Sequence, residues 1–318
     1  VKPHRVDGDG RVHVSLAELI AQRARVVKAA VPAIESHAAR YGQQSSRLYG
    51  RGMDYAESRA YQPGDDVRRL DWRLTARSGK LHTKLFQEER EGRLLILLDT
   101  HASMHFGTRV RFKSVQAARA AATAAWYAVR AGERVGVMAF GQQGQGNRER
   151  LLRPQAGARG ALAVCGALAE WDAAPVQGRD EPLSEALTRA RRVLHGASRV
   201  LLISDGLSCD EPAAKGDVKG RLLDLSRHAR ISVLIVADAL ELAWAPAGSY
   251  PLEHDGERRE VVLQAERQRS EFQRSLGAGQ ARLNSLAQGL GLSCRSIDTA
   301  ADPLDAVTAL LGPNRTAR

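Results

Sequence analysis

Asp99, His101 and Ser103 fall at alternate positions just past the apolar run "LLILL", and Asp205 ends a second run, "VLLIS", with a glycine behind it. Carboxylates at the carboxyl ends of buried strands, with hydroxyls close by, make a hard-cation environment suited to Mg²⁺ or Mn²⁺. His101 changes that chemistry. Imidazole prefers Zn²⁺, Mn²⁺ or other transition metals, and it can move protons. Several readings stay open on these residues alone. The group can bind a divalent ion. It can be a metal-free site holding a protonated His101. It can be a metal-dependent hydrolase or phosphotransferase with Asp99 as nucleophile and His101 as acid–base. The plainest reading is a loop cap at Asp99 and a turn at Asp205-Gly206.

Those residues need a scaffold, and the pattern from residue 94 supplies one. "LLILLD", "RVGVMAFG", "SRVLLISDG", "ISVLIVADAL" and "LSCRSID" read as strands. "RERLLRPQ" reads as a short antiparallel edge strand. Helices are expected at 113–131, near 159–170 and 182–195, at 217–229 and from Pro303 to Leu311. This alternation predicts an α/β fold, a doubly wound, mostly parallel six-stranded sheet covered on both faces. In such sheets ligands sit beyond the carboxyl ends of the strands, so a strand-order reversal between the two runs would bring Asp99 and Asp205 to one crevice. Between the fifth and sixth strands, "GSYPLEHDGERREVVL" predicts a small hairpin turning at Asp255-Gly256, followed by a long polar helix at 263–289.

Upstream, residues 15–40 read as a helix capped by Ser15, kinked or ended by Pro32. Residues 45–79 read as irregular backbone around Gly50, Gly52 and Pro63-Gly64, then a helix capped by Asp65 with Val67, Leu70 and Leu74 on one face and Gly79 as its stop. "KLHTKLFQEE" alternates as a half-buried strand.

The formal charge of +11 suits an acidic partner. Basic residues are mostly arginines interleaved with acids, and only 5% of residues are aromatic. That pattern argues against nucleic-acid binding. Three scattered cysteines without a C-x-x-C pair argue against a disulfide framework or zinc cluster and for a reducing cytosol. No run approaches a membrane span, and residues 1–20 lack the apolar core of a signal peptide. The expected location is cytoplasmic.

"LLILLDTHASM" together with "LLISDG" resembles the von Willebrand factor type A domain. The segment "GRGMDYAESRAYQPGDDVRRLDWRLTARSGKLHTKLFQEERE" resembles the signature of the domain-of-unknown-function family DUF58, bacterial proteins found beside MoxR-type AAA+ ATPases. Its R-x-Y-x-P-G-D-D-x-R-x-x-D-W element, Arg59 to Trp72, is long and specific. The resemblance implies a metal-ion-dependent adhesion site built from D-x-S-x-S, a second-loop threonine and a third-loop aspartate. Asp99, Ser103 and Asp205 match it. His101 replaces the first serine, and Glu181, beside Asp180, falls near the threonine position. An added carboxylate would neutralise a bound ion and weaken its pull on a partner's carboxylate. One Mg²⁺ or Mn²⁺ in a degenerate site, or a charge-paired site of His101 among Asp99, Asp205 and Glu181 without metal, are the two outcomes this implies.

The expected organisation is an N-terminal helical extension (1–44), the signature segment packing on the main domain (45–92), and a type A domain (93–318) with a hairpin insertion at about 241–262. In the signature segment, Trp72 is expected to dock on the sheet domain with Arg68 stacked on it. Alternatively Arg59, Asp65, Asp66, Arg68, Asp71 and Trp72 form a partner-binding face. The resulting functional expectation is a non-enzymatic protein-interaction module, an adaptor or co-factor of a MoxR-type AAA+ ATPase that presents a client protein, with the Asp99–Asp205 crevice as the contact or regulatory site, with or without a metal. The alternative is the metal-dependent hydrolase or phosphotransferase using Asp99 and His101.

Overall fold

The computed structural model describes residues 8–29, 53–88, 92–142, 150–173, 180–194, 198–209, 217–242, 245–254 and 257–312. The chain divides into two compact units, Val1–Pro32 with Gly92–Arg318, and Ala33–Glu91.

The larger unit begins with α1 (Leu16–Lys28), whose first turn is closed by the Ser15 hydroxyl accepting the Glu18 N–H at 3.2 Å. Leu19, Gln22 and Val26 form its buried face at helical spacing. Residues 30–40 of the expected helix lie outside the described residues.

The smaller unit holds β1 (Met53–Ala60), α2 (Trp72–Ser78) and β2 (His82–Glu88), with β1 and β2 paired antiparallel. β1 corrects the expectation of irregular backbone before residue 61. "MDYAESRA" has no apolar alternation, so its strand character comes from pairing with β2. The expected helix cap is corrected too. Leu70 is extended (φ −61°, ψ 134°), buried and bridged to Thr83, which stops the short 3₁₀ turn at 67–69. Asp71, not Asp65, then caps α2, accepting the Leu74 N–H at 3.0 Å. Gly79 ends α2 at φ 69°, a conformation that favours glycine, as expected.

The sheet of the larger unit runs through β3 (Arg93–Asp99), β4 (Arg134–Phe140), β5 (Leu151–Gln155), β6 (Ser198–Ser204), β7 (Ala229–Ala237) and, after a separate hairpin of β8 (Gly248–His254) and β9 (Glu257–Leu263), β10 (Ser293–Asp298). Spatial order is β10-β7-β6-β3-β4-β5, parallel except for β5, which pairs antiparallel with β4. The chain leaves β3 in one direction and β6 joins its other side, so the switch point lies between them and places Asp99 and Asp205 at one crevice.

β3 is continuously apolar because both faces are covered. Leu94, Ile96 and Leu98 join the core with α1, α3 (Lys113–Arg130), α4 (Gly157–Asp172) and α10 (Pro303–Leu311). Leu95 and Leu97 join the opposite core with α5 (Leu183–Val193), α6 (Val218–Ser226) and α9 (Ala278–Gly289). Burying each such leucine contributes roughly 1.5–3 kcal/mol. The small buried alanines of α3, from Ala117 to Ala128, bring its backbone close to the sheet. The expected long helix at 263–289 is two helices, α8 (Glu266–Leu276) and α9, parted at Gly277. Glycine is a poor helix former, and Gly279 just beyond it must approach the Asp205 loop. A short helix, α7 (Ala239–Leu242), follows β7. Among the described residues no helix is long and apolar enough to cross a membrane.

Candidate functional site

β3 delivers Asp99 into the crevice, 1% exposed. Its Oδ1 accepts the His101 N–H at 3.0 Å and lies 2.7 Å from His101 Nδ1. Its Oδ2 accepts the hydroxyls of Ser204 at 2.6 Å and Ser208 at 2.9 Å. Burial pushes the Asp99 carboxyl up, but the His101 hydrogen bond and charge, with Ser204, bring it below the ordinary carboxylate range. Burial pushes His101 down, and Asp99, Asp180 and Asp205 together raise it above the ordinary histidine value. The two form an ion pair. Gly141, at φ 97°, makes room for the ring, since a Cβ there would stand 2.7 Å from His101 Nδ1.

Asp205 follows β6. Its Oδ1 accepts the Leu207 N–H at 3.0 Å, and its Oδ2 accepts from the Lys113 ammonium at 2.9 Å. Lys113 is 1% exposed, and it also donates to Glu241 Oε1 on α7 at 2.7 Å. Burial alone would lower the Lys113 ammonium, but Asp205 and Glu241 raise it. Burial raises Glu241 against the opposing pull of Lys113. Glu241 Oε2 accepts the Asp238 N–H at 2.8 Å and the Gln280 amide at 3.3 Å.

Glu181 sits at the crevice rim through a bridge to Gly141. Its carboxylate is clasped by Arg189, at 2.9 Å from Nε and 2.6 Å from Nη2. Ser103 Oγ is buried without a hydrogen-bond partner.

The sequence-derived metal set is therefore distributed over three separate charge pairs: Asp99 with His101, Asp205 with Lys113, and Glu181 with Arg189. Each carboxylate oxygen that a divalent ion would need already has a donor. Two of the three acids face a permanent cation, and Ser103 alone remains as one neutral oxygen. Among the described residues no group of three or more His, Cys, Asp and Glu side chains is arranged to hold a metal ion. As placed, these residues do not fit a bound divalent cation.

Lys113, Glu241 and Arg189 escaped sequence reasoning. One local signal pointed at Lys113. It is a cation in the first turn of a helix, where the macrodipole disfavours positive charge, and it opens an otherwise buried helix. Arg189 and Glu241 left no such mark.

In the smaller unit the expected partner-binding residues separate into two groups. Arg59 donates to Asp65 at 2.7 Å, Asp66 caps the Arg68 N–H, and Asp71 accepts the Ser58 hydroxyl at 2.7 Å. These residues hold the fold of the segment. Trp72 is 66% exposed, and among the described residues no ring contact joins it to Arg68. Val67 is 60% exposed. Arg68, Arg73 and Arg77 are also exposed and make no ion pair among the described residues.

Curated relatives include Uncharacterized protein Rv1480 of Mycobacterium tuberculosis (strain ATCC 25618 / H37Rv) and Uncharacterized protein Mb1516 of Mycobacterium bovis. Each is 35% identical over 140 residues, covering 39% of this chain and 44% of the relative, so the match spans under half of their length. Solved structures similar to the chain include an aerotolerance-related membrane protein from Bacteroides fragilis, at 14% identity and TM-score 0.43 over 69% of this chain and 96% of that one. Another is a von Willebrand factor type A protein from Catenulispora acidiphila, at 16% identity and TM-score 0.32 over 62% of this chain and 44% of that one. At these scores the fold rests on this chain's own strand order. The model of the family described as protein of unknown function DUF58 matches residues 57–282, and the chain belongs to that family.

Proposed function

We propose that the chain is a non-enzymatic protein-interaction module, an adaptor or co-factor of a MoxR-type AAA+ ATPase that presents a client to it. Its contact is the 67–77 face of the smaller unit, and the degenerate adhesion-site crevice serves as an internal brace. One observation carries this reading: Trp72 and Val67 stand exposed among Arg68, Arg73 and Arg77, while the neighbouring acids are taken up by caps and by Arg59. An exposed tryptophan flanked by arginines has the composition of an interface hot spot. Its charge, in a chain of formal charge +11, complements an acidic protein surface. Affinity of the purified chain for the ATPase encoded beside it, compared with a Trp72→Ala, Arg68→Ala double variant, is the test. Wild-type binding that the double variant loses supports the reading. Equal binding by both moves the contact elsewhere, and no binding by wild type removes the adaptor role.

The Asp99–His101 contact favours one rival, a hydrolase or phosphotransferase in which His101 moves the proton. Against it, both Asp99 oxygens are occupied by hydrogen-bond donors, so neither is free to attack. Hydrolysis of a generic phosphate ester under several divalent ions, abolished in Asp99→Ala, would establish the rival.

A further inference from the structure

We infer that Lys113 is the resident cation of the crevice: its ammonium supplies to Asp205 and Glu241 the positive charge that a divalent ion would otherwise bring, so the site is complete without metal. This stands independently of the adaptor reading. Three observations and one electrostatic argument lead to it. The ammonium is bonded to two carboxylates, Asp205 Oδ2 at 2.9 Å and Glu241 Oε1 at 2.7 Å, in the manner of a bridging ion. The second oxygen of each carboxylate is held by a backbone N–H, from Leu207 and from Asp238. A dication beside a buried ammonium would meet like-charge repulsion in a poorly screened place. Finally, α9 closes over this loop. A Cβ on Gly206 would stand 2.2 Å from the Gly279 carbonyl oxygen, and Gln280 of α9 bonds Glu241.

A fixed ammonium differs from a bound ion in two ways that matter for function. It does not dissociate, so the α3 N-terminus, the β6 loop and α7 stay joined whatever the ion supply. It is also out of reach, being 1% exposed, so no partner carboxylate can complete its shell. The crevice thus becomes a permanent clamp in place of an ion-dependent contact.

The test is titration of the chelator-treated full chain with Mn²⁺ alone, followed by calorimetry and by the thermal unfolding midpoint. Wild type is expected to bind no stoichiometric ion, with the same midpoint in chelator and in millimolar Mg²⁺ or Mn²⁺. Lys113→Met, which leaves the carboxylates without their cation, is expected to gain Mn²⁺ affinity by roughly a hundredfold. Its midpoint should rise with the ion, whereas Lys113→Arg should stay indifferent to it. One Mn²⁺ per wild-type chain, lost in Asp99→Asn, would overturn the inference. So would a folded Lys113→Met that gains no ion affinity. Should that variant not fold, Lys113→Met combined with Glu241→Gln restores the network's wild-type net charge, with Asp205 the one carboxylate left without its cation. That pair is expected to fold and to ignore Mn²⁺, and failure to recover folding counts against the inference.

Discussion

The crevice at the ends of β3 and β6 and the 67–77 face of the smaller unit are both rich in charge, and they use it in opposite ways. In the crevice, Asp99, Asp205, Glu181 and Glu241 are buried and each meets a cation of this chain. On the other face, the acids are turned to caps and to Arg59, and Arg68, Arg73, Arg77 and Trp72 are left to solvent. Charge that is desolvated and matched fixes geometry, because breaking one partner strands the other. Charge that stays hydrated costs little to hold and is available to another molecule. The contrast separates a brace from a contact surface.

The contrast breaks most sharply at Lys113. Lys113→Ala leaves Asp205 and Glu241 buried without their cation and is expected to destabilise the chain by roughly 3–5 kcal/mol in denaturant unfolding. A loss below about 1 kcal/mol would mean that the network is not structural. At the other region the expectation inverts. Trp72→Ala should change stability by no more than about 0.5 kcal/mol while weakening partner binding by about 2 kcal/mol or more, roughly thirtyfold. A variant that unfolds easily would make Trp72 a packing residue after all.

Much of the sheet was legible because its strands are buried on both faces. "LLILL" and "VLLI" leave no polar position to suggest anything else, and they placed Asp99 and Asp205 at strand ends. β1 was not legible, since "MDYAESRA" becomes a strand only against β2. The α2 cap was misplaced from Asp71 to Asp65 because the break at Leu70 comes from its bridge to Thr83, a contact outside local spacing. The site followed the same rule. Its carboxylates announce themselves at strand ends, but Lys113 meets Asp205 across 92 positions and Glu241 across 128, and no motif spacing encodes such a meeting.

Smaller effects sharpen the account of closure. Gly279→Ala would put a Cβ 2.6 Å from the Leu207 nitrogen and 2.8 Å from the Asp205 carbonyl oxygen, both rigid backbone. It should cost roughly 1–3 kcal/mol, whereas Gly289→Ala, whose Cβ meets nothing within 4 Å, should be neutral or mildly stabilising as a helix substitution. The smallest effect is pH-dependent. His101 is raised above its ordinary 6.5, so its contribution is complete below that pH and fades as pH rises through the higher folded value. Asp99 is lowered below its ordinary 3.8, so its contribution is complete above that pH and fades as pH falls through the lower folded value. The stability difference between wild type and His101→Gln should therefore be flat across mildly acidic pH and shrink on the alkaline side. A difference that grows with pH would mean that His101 is neutral in the fold.

Hydrogen–deuterium exchange of the chain, alone and mixed with the proposed ATPase partner, addresses both regions in one measurement. The account predicts that binding newly protects residues 67–77, while 99–105 and 204–209 are already slow in the free chain and change little. New protection at 99–105 and 204–209 with none at 67–77 would make the crevice the contact and contradict the division of roles.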